Sequence, residues 1–183
     1  MKSRRKFLQD SLAGVTAASV LSQGISASTA ISYSRIQGAN RRIRVGLIGC
    51  GGQGTNDLRK MLMISNIECV ALCDVDDAQV VQAAEMVDKQ ANQKPALRTR
   101  DFRKVIDDKT IDAVIIGTPD HWHALPTVAA CQAGKDVYVE KPLSLTIAEG
   151  RVMVDVARRH NRIVQMGTQQ RSTPHYKDAF DYA

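Results

Sequence analysis

The sequence is short of aromatic residues, with one tryptophan, four tyrosines and three phenylalanines among 183 residues. Beyond the amino terminus its basic side chains are interspersed with acids, and with so few rings to stack on bases this excludes a nucleic-acid surface. Long apolar runs are missing too. The mildly apolar stretch from Ser11 to Ile25 is broken by Gly14, Thr16, Ser19, Ser22 and Gln23, short of the ~20 continuous apolar residues that a bilayer-spanning helix needs. No permanent membrane span is expected. There is no internal repeat and no low-complexity block. Cysteines number four; Cys69 and Cys73 lie four apart on one expected strand, about 13 Å at ~3.3 Å per residue, which rules out a disulfide between them. Cys50 falls in a glycine loop and Cys131 at a helix end, and all four read as small packing residues.

What is present starts at the extreme amino terminus. Ser3-Arg4-Arg5-Lys6-Phe7-Leu8 precedes the broken apolar stretch, and Ser28-x-Ala30 supplies a small-residue cleavage pattern. Residues 1–30 therefore read as a twin-arginine signal peptide, which implies the twin-arginine export machinery as a partner and a periplasmic or otherwise exported destination. Residues 31–42, polar and turn-rich, read as a linker. The first 44 residues carry eight basic side chains and one acid, so of the formal charge of +6 the remainder of the chain holds −1. The basic balance belongs to the leader.

The body opens with Ile43-Arg44-Val45-Gly46-Leu47-Ile48, a short buried strand, running into Gly49-Cys50-Gly51-Gly52-Gln53-Gly54. In this strand-to-helix context GxGxxG has a mechanism. The first glycine permits the tight turn, the second lets the backbone approach a pyrophosphate, and the third allows close helix-to-strand packing. A second strand, Glu68-Cys69-Val70-Ala71-Leu72-Cys73, ends in Asp74, about twenty residues after Gly54, where a carboxylate accepts hydrogen bonds from the adenosine ribose. Asp74 is followed by Val75, Asp76 and Asp77, with no neighbouring Arg or Lys to receive a 2′-phosphate. The expected cofactor is NAD, with NADP disfavoured by repulsion.

Strands are expected at 43–48, 67–73, 96–98, 112–117, 136–140 and 162–167, and helices at 53–64, 77–90, after Asp101, and at 122–132 and 146–160. Thr146 with Glu149 reads as a capping box and Gly134 as a helix stop. Alternating strands and helices with buried strands such as Ala113-Val114-Ile115-Ile116 specify an α/β fold, a Rossmann doubly wound parallel sheet with helices on both faces. The dinucleotide-binding domain is placed at 43–170.

Two motifs fall at the carboxyl ends of strands, where ligands of such sheets bind. Gly117-Thr118-Pro119-Asp120-His121-Trp122-His123 opens a helix, and Glu140-Lys141-Pro142 follows Asp136-Val137-Tyr138-Val139. A lysine so placed is a candidate proton donor. His-x-His beside Asp120 invites a metal reading, but residues two apart at a helix start do not share a face, and no metal is expected. Trp122 suits packing as well as a sugar contact, His160 and His175 read as surface helix residues, and Met61 and Met63 as core or interface filler.

Together with Gly167-Thr168-Gln169-Gln170-Arg171, these motifs make the chain from Ile43 onward similar to the cofactor domain of the Gfo/Idh/MocA oxidoreductases, and with its leader it resembles exported members of that family. The resemblance implies that Gly49, Gly51 and Gly54 hold the pyrophosphate, Asp74 the adenosine ribose, and Thr118 and Pro119 the nicotinamide side, with His123 and Gln169 at matching cofactor-binding positions. It implies that Glu140 and Lys141 contact the nicotinamide ribose and form the catalytic pair, Lys141 reaching the substrate hydroxyl and Glu140 compensating its charge. An amine poised to exchange a proton with an alcohol assists hydride transfer from its carbon.

Family members carry a second, open-faced sheet domain that forms most of the substrate pocket. This chain reaches Tyr182-Ala183 inside a helix begun at Thr173-Pro174. The expectation is a longer protein, with 171–183 starting the connection to a substrate domain absent from this chain. Three readings stay open: an exported NAD-dependent oxidoreductase acting on a sugar, polyol or related hydroxyl compound, holding its cofactor tightly and assembling as a homo-oligomer at full length; a glycoside-cleaving enzyme that oxidises a sugar transiently; and a non-catalytic dinucleotide-binding module. The resemblance implies the first, because NAD-dependent glycosidases of this fold tend to differ at the lysine.

Overall fold

The computed structural model describes residues 42–182, apart from the side chain of Lys177. The twin-arginine segment and the linker to Arg41 lie outside the described residues. Six parallel strands form one sheet: β1 (Ile43–Ile48), β2 (Ile67–Cys73), β3 (Leu97–Thr99), β4 (Ala113–Ile116), β5 (Asp136–Glu140) and β6 (Val164–Gly167). Their order is β3-β2-β1-β4-β5-β6. Chain direction across the sheet reverses between β1 and β4, and the crevice above such a switch point is where these folds bind dinucleotides.

Among the described residues five helices connect the strands, α1 (Gly52–Met61), α2 (Asp77–Ala91), α3 (Phe102–Asp107), α4 (Ala124–Gln132) and α5 (Ile147–Arg159), and α6 (Pro174–Tyr182) follows β6. On one face, Leu58 of α1 and Val80, Ala83 and Val87 of α2 pack on Leu47, Leu72 and Ile115. On the other, Val105, Ala130, Met153 and Val156 from α3, α4 and α5 cover Val70, Val114, Ile116, Val137 and Val139. The two cores explain why the central strands read as apolar runs rather than alternating ones, since their buried residues meet helices on both faces of the sheet. Full burial of each large side chain here contributes roughly 1.5–3 kcal/mol.

Local chemistry sets the ends. Asp101 accepts from the Arg103 amide at 3.0 Å, and Thr146 and Glu149 exchange both bonds of the capping box. Asp76 caps α2 in the same way, through the Ala78 amide. Gly134, at φ +81°, stops α4 as expected, with the Lys135 amide closing back on the Ala130 carbonyl at 2.9 Å. Helix α1 ends at Met61 rather than Ile64, and the segment expected as one helix from Trp122 divides into a 3-10 turn at Asp120–Trp122 followed by α4. Met61 packs against the α1/α2 core, whereas Met63 is exposed and fills nothing within the domain. All four cysteines are buried free thiols, and burial pushes those of Cys50, Cys69 and Cys73 up to about 12.

Candidate cofactor site

The site is built at the carboxyl ends of β1, β2, β4 and β5 and just beyond β6. Gly49 turns there at φ +92°, its amide donating to the Cys73 carbonyl at 2.8 Å. A side chain on Gly49 would stand 2.5 Å from the Thr118 amide nitrogen, whereas Gly51 and Gly52 have open space above them. Gly51 caps α1 with no side-chain bond, and the first turn holds no acid. The result is a bare helix amino terminus with open space above it, the electrostatic setting that attracts phosphate.

Asp74 stands at the end of β2. Its Oδ2 accepts from the Cys50 amide at 2.7 Å and its Oδ1 from the Asp76 amide at 3.0 Å. The carboxylate therefore ties the glycine loop to the second strand and keeps further lone pairs for a ligand. The expectation that no basic residue lies near it needs correction. The Asp74 amide donates to the Thr99 carbonyl, which brings Arg100 alongside, and Arg100 binds Asp77 through two bonds of 2.8 and 2.7 Å. The sequence hid this arginine because it arrives from β3, twenty-odd residues away.

At the ends of β4 and β5 two loops are joined by His123, 1% exposed. Its Nδ1 stands 2.6 Å from the Pro142 carbonyl oxygen and its Nε2 2.8 Å from that of Thr118. Both oxygens are acceptors, so the ring nitrogen that carries a proton donates to the one it faces. The imidazole is thus a bridge between the Thr118-Pro119 and Lys141-Pro142 turns, and neither ring nitrogen is open to a metal. Among the described residues no three His, Cys, Asp or Glu side chains converge as a metal site. Pro119 is exposed, and Trp122 packs edge-on to Phe102 with ring centres 6.3 Å apart.

Glu140 and Lys141 diverge. Lys141 is exposed at the mouth of the site, while Glu140 is 3% exposed and faces α1. The carboxylate holds the lysine by its backbone, Oε2 accepting the Lys141 amide at 3.0 Å. Beneath it lies a residue that sequence reasoning missed. Asp57 on α1, also 3% exposed, meets Glu140 carboxyl to carboxyl, and burial together with that contact pushes the Asp57 acid up to about 6. Gln53 Nε2 donates to both, at 3.0 Å to Asp57 Oδ1 and 3.3 Å to Glu140 Oε1. Only the i, i+4 spacing of Gln53 and Asp57 hinted at this, because the partner is 83 residues away on another strand.

The residues present fit a dinucleotide. Thr118 Oγ1 and Gln169 Oε1 are buried without a hydrogen-bond partner, and both belong to the expected cofactor set. An unpaired buried polar atom costs roughly 1–3 kcal/mol, a cost that a bound polar ligand relieves.

Comparison with known proteins agrees with this geometry. Residues 43–168 match the Gfo/Idh/MocA model, described as an oxidoreductase family with an NAD-binding Rossmann fold. The chain is 35% identical over 127 residues to an α-N-acetylgalactosaminidase of Shewanella oneidensis, a match covering 68% of this chain and 28% of that protein. It is 30% identical over 178 residues to a glycosyl hydrolase family 109 protein of Shewanella pealeana, covering 90% of this chain and 39% of the relative. The chain thus spans well under half the length of these relatives. Among solved structures, myo-inositol 2-dehydrogenase from Lactobacillus plantarum superposes with a TM-score of 0.65 at 29% identity, covering 75% of this chain and 40% of that one. Scyllo-inositol dehydrogenase from Lactobacillus casei, with bound NAD(H) and scyllo-inositol, superposes with a TM-score of 0.64 at 27% identity, covering 75% and 39%. The glycine loop and the six-stranded sheet are those of an NAD-binding Rossmann domain, and this chain belongs to the Gfo/Idh/MocA oxidoreductase family.

Proposed function

We propose that this chain is the cofactor half of an enzyme, exported by the twin-arginine route, that transfers hydride between NAD and a hydroxyl-bearing carbon of a sugar, polyol or related compound. The observation that carries the reading is the pair of orphaned buried oxygens, Thr118 Oγ1 and Gln169 Oε1, beside a bare α1 amino terminus. Gly49, Gly51 and Gly54 hold the pyrophosphate and Asp74 the adenosine ribose. Thr118, Pro119 and Gln169 line the nicotinamide end, and His123 holds the two loops on which Thr118 and Lys141 ride. NAD, when bound, supplies the hydride acceptor. Lys141 exchanges a proton with the substrate hydroxyl, and Glu140 sets its backbone. NAD is favoured over NADP because Asp77 occupies Arg100, leaving Asp74 to repel a 2′-phosphate. Tight retention of the cofactor suits an exported enzyme far from the cytoplasmic pool. A homo-oligomer is proposed for the full-length protein.

Lys141→Ala in the full-length protein should leave NAD affinity within about threefold and lower turnover by roughly 10²–10⁴-fold. Turnover equal to wild type would overturn the role. A second reading, glycoside cleavage through transient sugar oxidation, is favoured by the names of the Shewanella relatives. Product analysis separates the two: release of a sugar substituent without net NADH marks cleavage, and net NADH with an oxidised sugar marks dehydrogenation. Replacing Arg4 and Arg5 by lysine should retain the protein in the cytoplasm, and unchanged export would remove the twin-arginine element of the proposal.

A further inference from the structure

Asp57, the buried partner of Glu140 under the β5 end, has no place in the cofactor contacts above. Asp57 and Glu140 are each 3% exposed, come from different elements, and meet carboxyl to carboxyl. Two ionised carboxylates so close, largely cut off from water, repel strongly, and a shared proton turns that repulsion into a hydrogen bond. Gln53 Nε2 donates to both, which orders the pair without neutralising it. Gly167 at the end of β6 makes the room, since a side chain there would stand 2.5 Å from Glu140 Oε1 and 2.7 Å from the Tyr138 hydroxyl.

We infer that Asp57 and Glu140 form a one-proton acid pair that makes the relative affinity for oxidised and reduced nicotinamide cofactor depend on pH, with Asp57 as a specificity-determining residue acting through Glu140. The inference rests on the proposed NAD site. With the proton in place the pair presents one negative charge behind the Lys141 turn, and without it two. The oxidised ring is cationic and the reduced ring neutral, so loss of the proton favours the oxidised form. Among the described residues, the titratable groups facing the pair are Lys60 on α1, whose charge acts on Asp57, and Tyr138 on β5, whose hydroxyl burial and the two acids push up to about 12. Lys141 adjoins through its backbone, and Gly167 presents no side chain from β6. Tyr138 stays neutral across the range in which Asp57 titrates near 6, so the charge that changes there belongs to the acid pair.

The test is calorimetric titration of the protein with NAD+ and with NADH between about pH 5 and about pH 8, for wild type and Asp57→Asn. In wild type the preference for NAD+ over NADH should rise by about tenfold across that range, with proton release on NAD+ binding; in Asp57→Asn the ratio should be flat. A flat ratio in wild type, or an unchanged slope in Asp57→Asn, overturns the inference while leaving the NAD site standing. Failure of both cofactor forms to bind at any pH overturns the NAD reading itself, and the inference with it. Because Asp57→Asn can disturb folding, carboxyl carbon-13 resonances of the wild-type protein provide an independent check. Side-chain titration near pH 6 at this pair supports the shared proton, and titration of both acids at ordinary carboxylate values refutes it.

Discussion

Gly54 and Gly117 close directly on each other: a methyl group on Gly117 would land on the Gly54 Cα, and one on Gly54 would land on the Gly49 carbonyl oxygen. The obstructing atoms are backbone, which cannot swing aside. This approach sets the amino terminus of α1 against the ends of β1 and β4, so that one point of contact serves both folding and the proposed phosphate cradle.

Gly54→Ala should therefore destabilise the fold by about 2–4 kcal/mol, a fall on the order of 10 °C in Tm. Gly51, extended at φ −64° with nothing above it, tolerates a methyl group. Gly51→Ala should unfold at the wild-type temperature and lose NAD affinity by about tenfold or more. Thermal melts beside calorimetric titrations separate the two glycines.

Asp74→Ala removes the proposed ribose acceptor and both loop bonds to Cys50 and Asp76. NAD binding should weaken by about 10–100-fold. Adding Asp77→Ala frees Arg100 from its ion pair, and the double variant should bind NADP more tightly than NAD. Dissociation constants for the two cofactors measure the switch directly.

Asp57 makes stability fall as pH rises. Its folded-state value, pushed up to about 6, lies above the ordinary 3.8, so the native state holds this proton more firmly than the unfolded chain. The contribution is fully present below about pH 4 and is lost as pH climbs through about 6. Asp57→Asn should lack this component and exceed wild type in stability above about pH 7 by about 1–2 kcal/mol. Urea midpoints across the range check the sign.

Lys135 is 2% exposed and donates to the Asp108 and Ile111 carbonyls at 2.6 and 2.9 Å, pinning the loop before β4 to the start of β5. Lys135→Ala should cost about 2–3 kcal/mol without changing NAD affinity, because the contact lies at the opposite end of the strands from the cofactor site. Chemical denaturation and NAD titration together test this.

Much of the molecule was legible in the chain alone. Apolar runs of four to seven residues, each followed by helical periodicity, specify buried parallel strands because nothing else hides such runs on both faces. Gly49, Asp74, Thr118 and Glu140 announced themselves because each stands at a strand end, a position that local pattern reveals. Caps such as Asp101 and Thr146 were readable for the same reason: their partners lie two or three residues away. Tertiary structure decided what depends on distant neighbours. Arg100 reaches Asp77 only because β3 pairs with β2. His123 joins the two loops only because β4 and β5 lie side by side. The Asp57 acid is raised only because α1 crosses toward the end of β5 and buries it against Glu140. Hydrogen-bonding and hydrophobic period act within a few residues and are written in order along the chain; burial and charge at a point are summed over whatever the fold brings there.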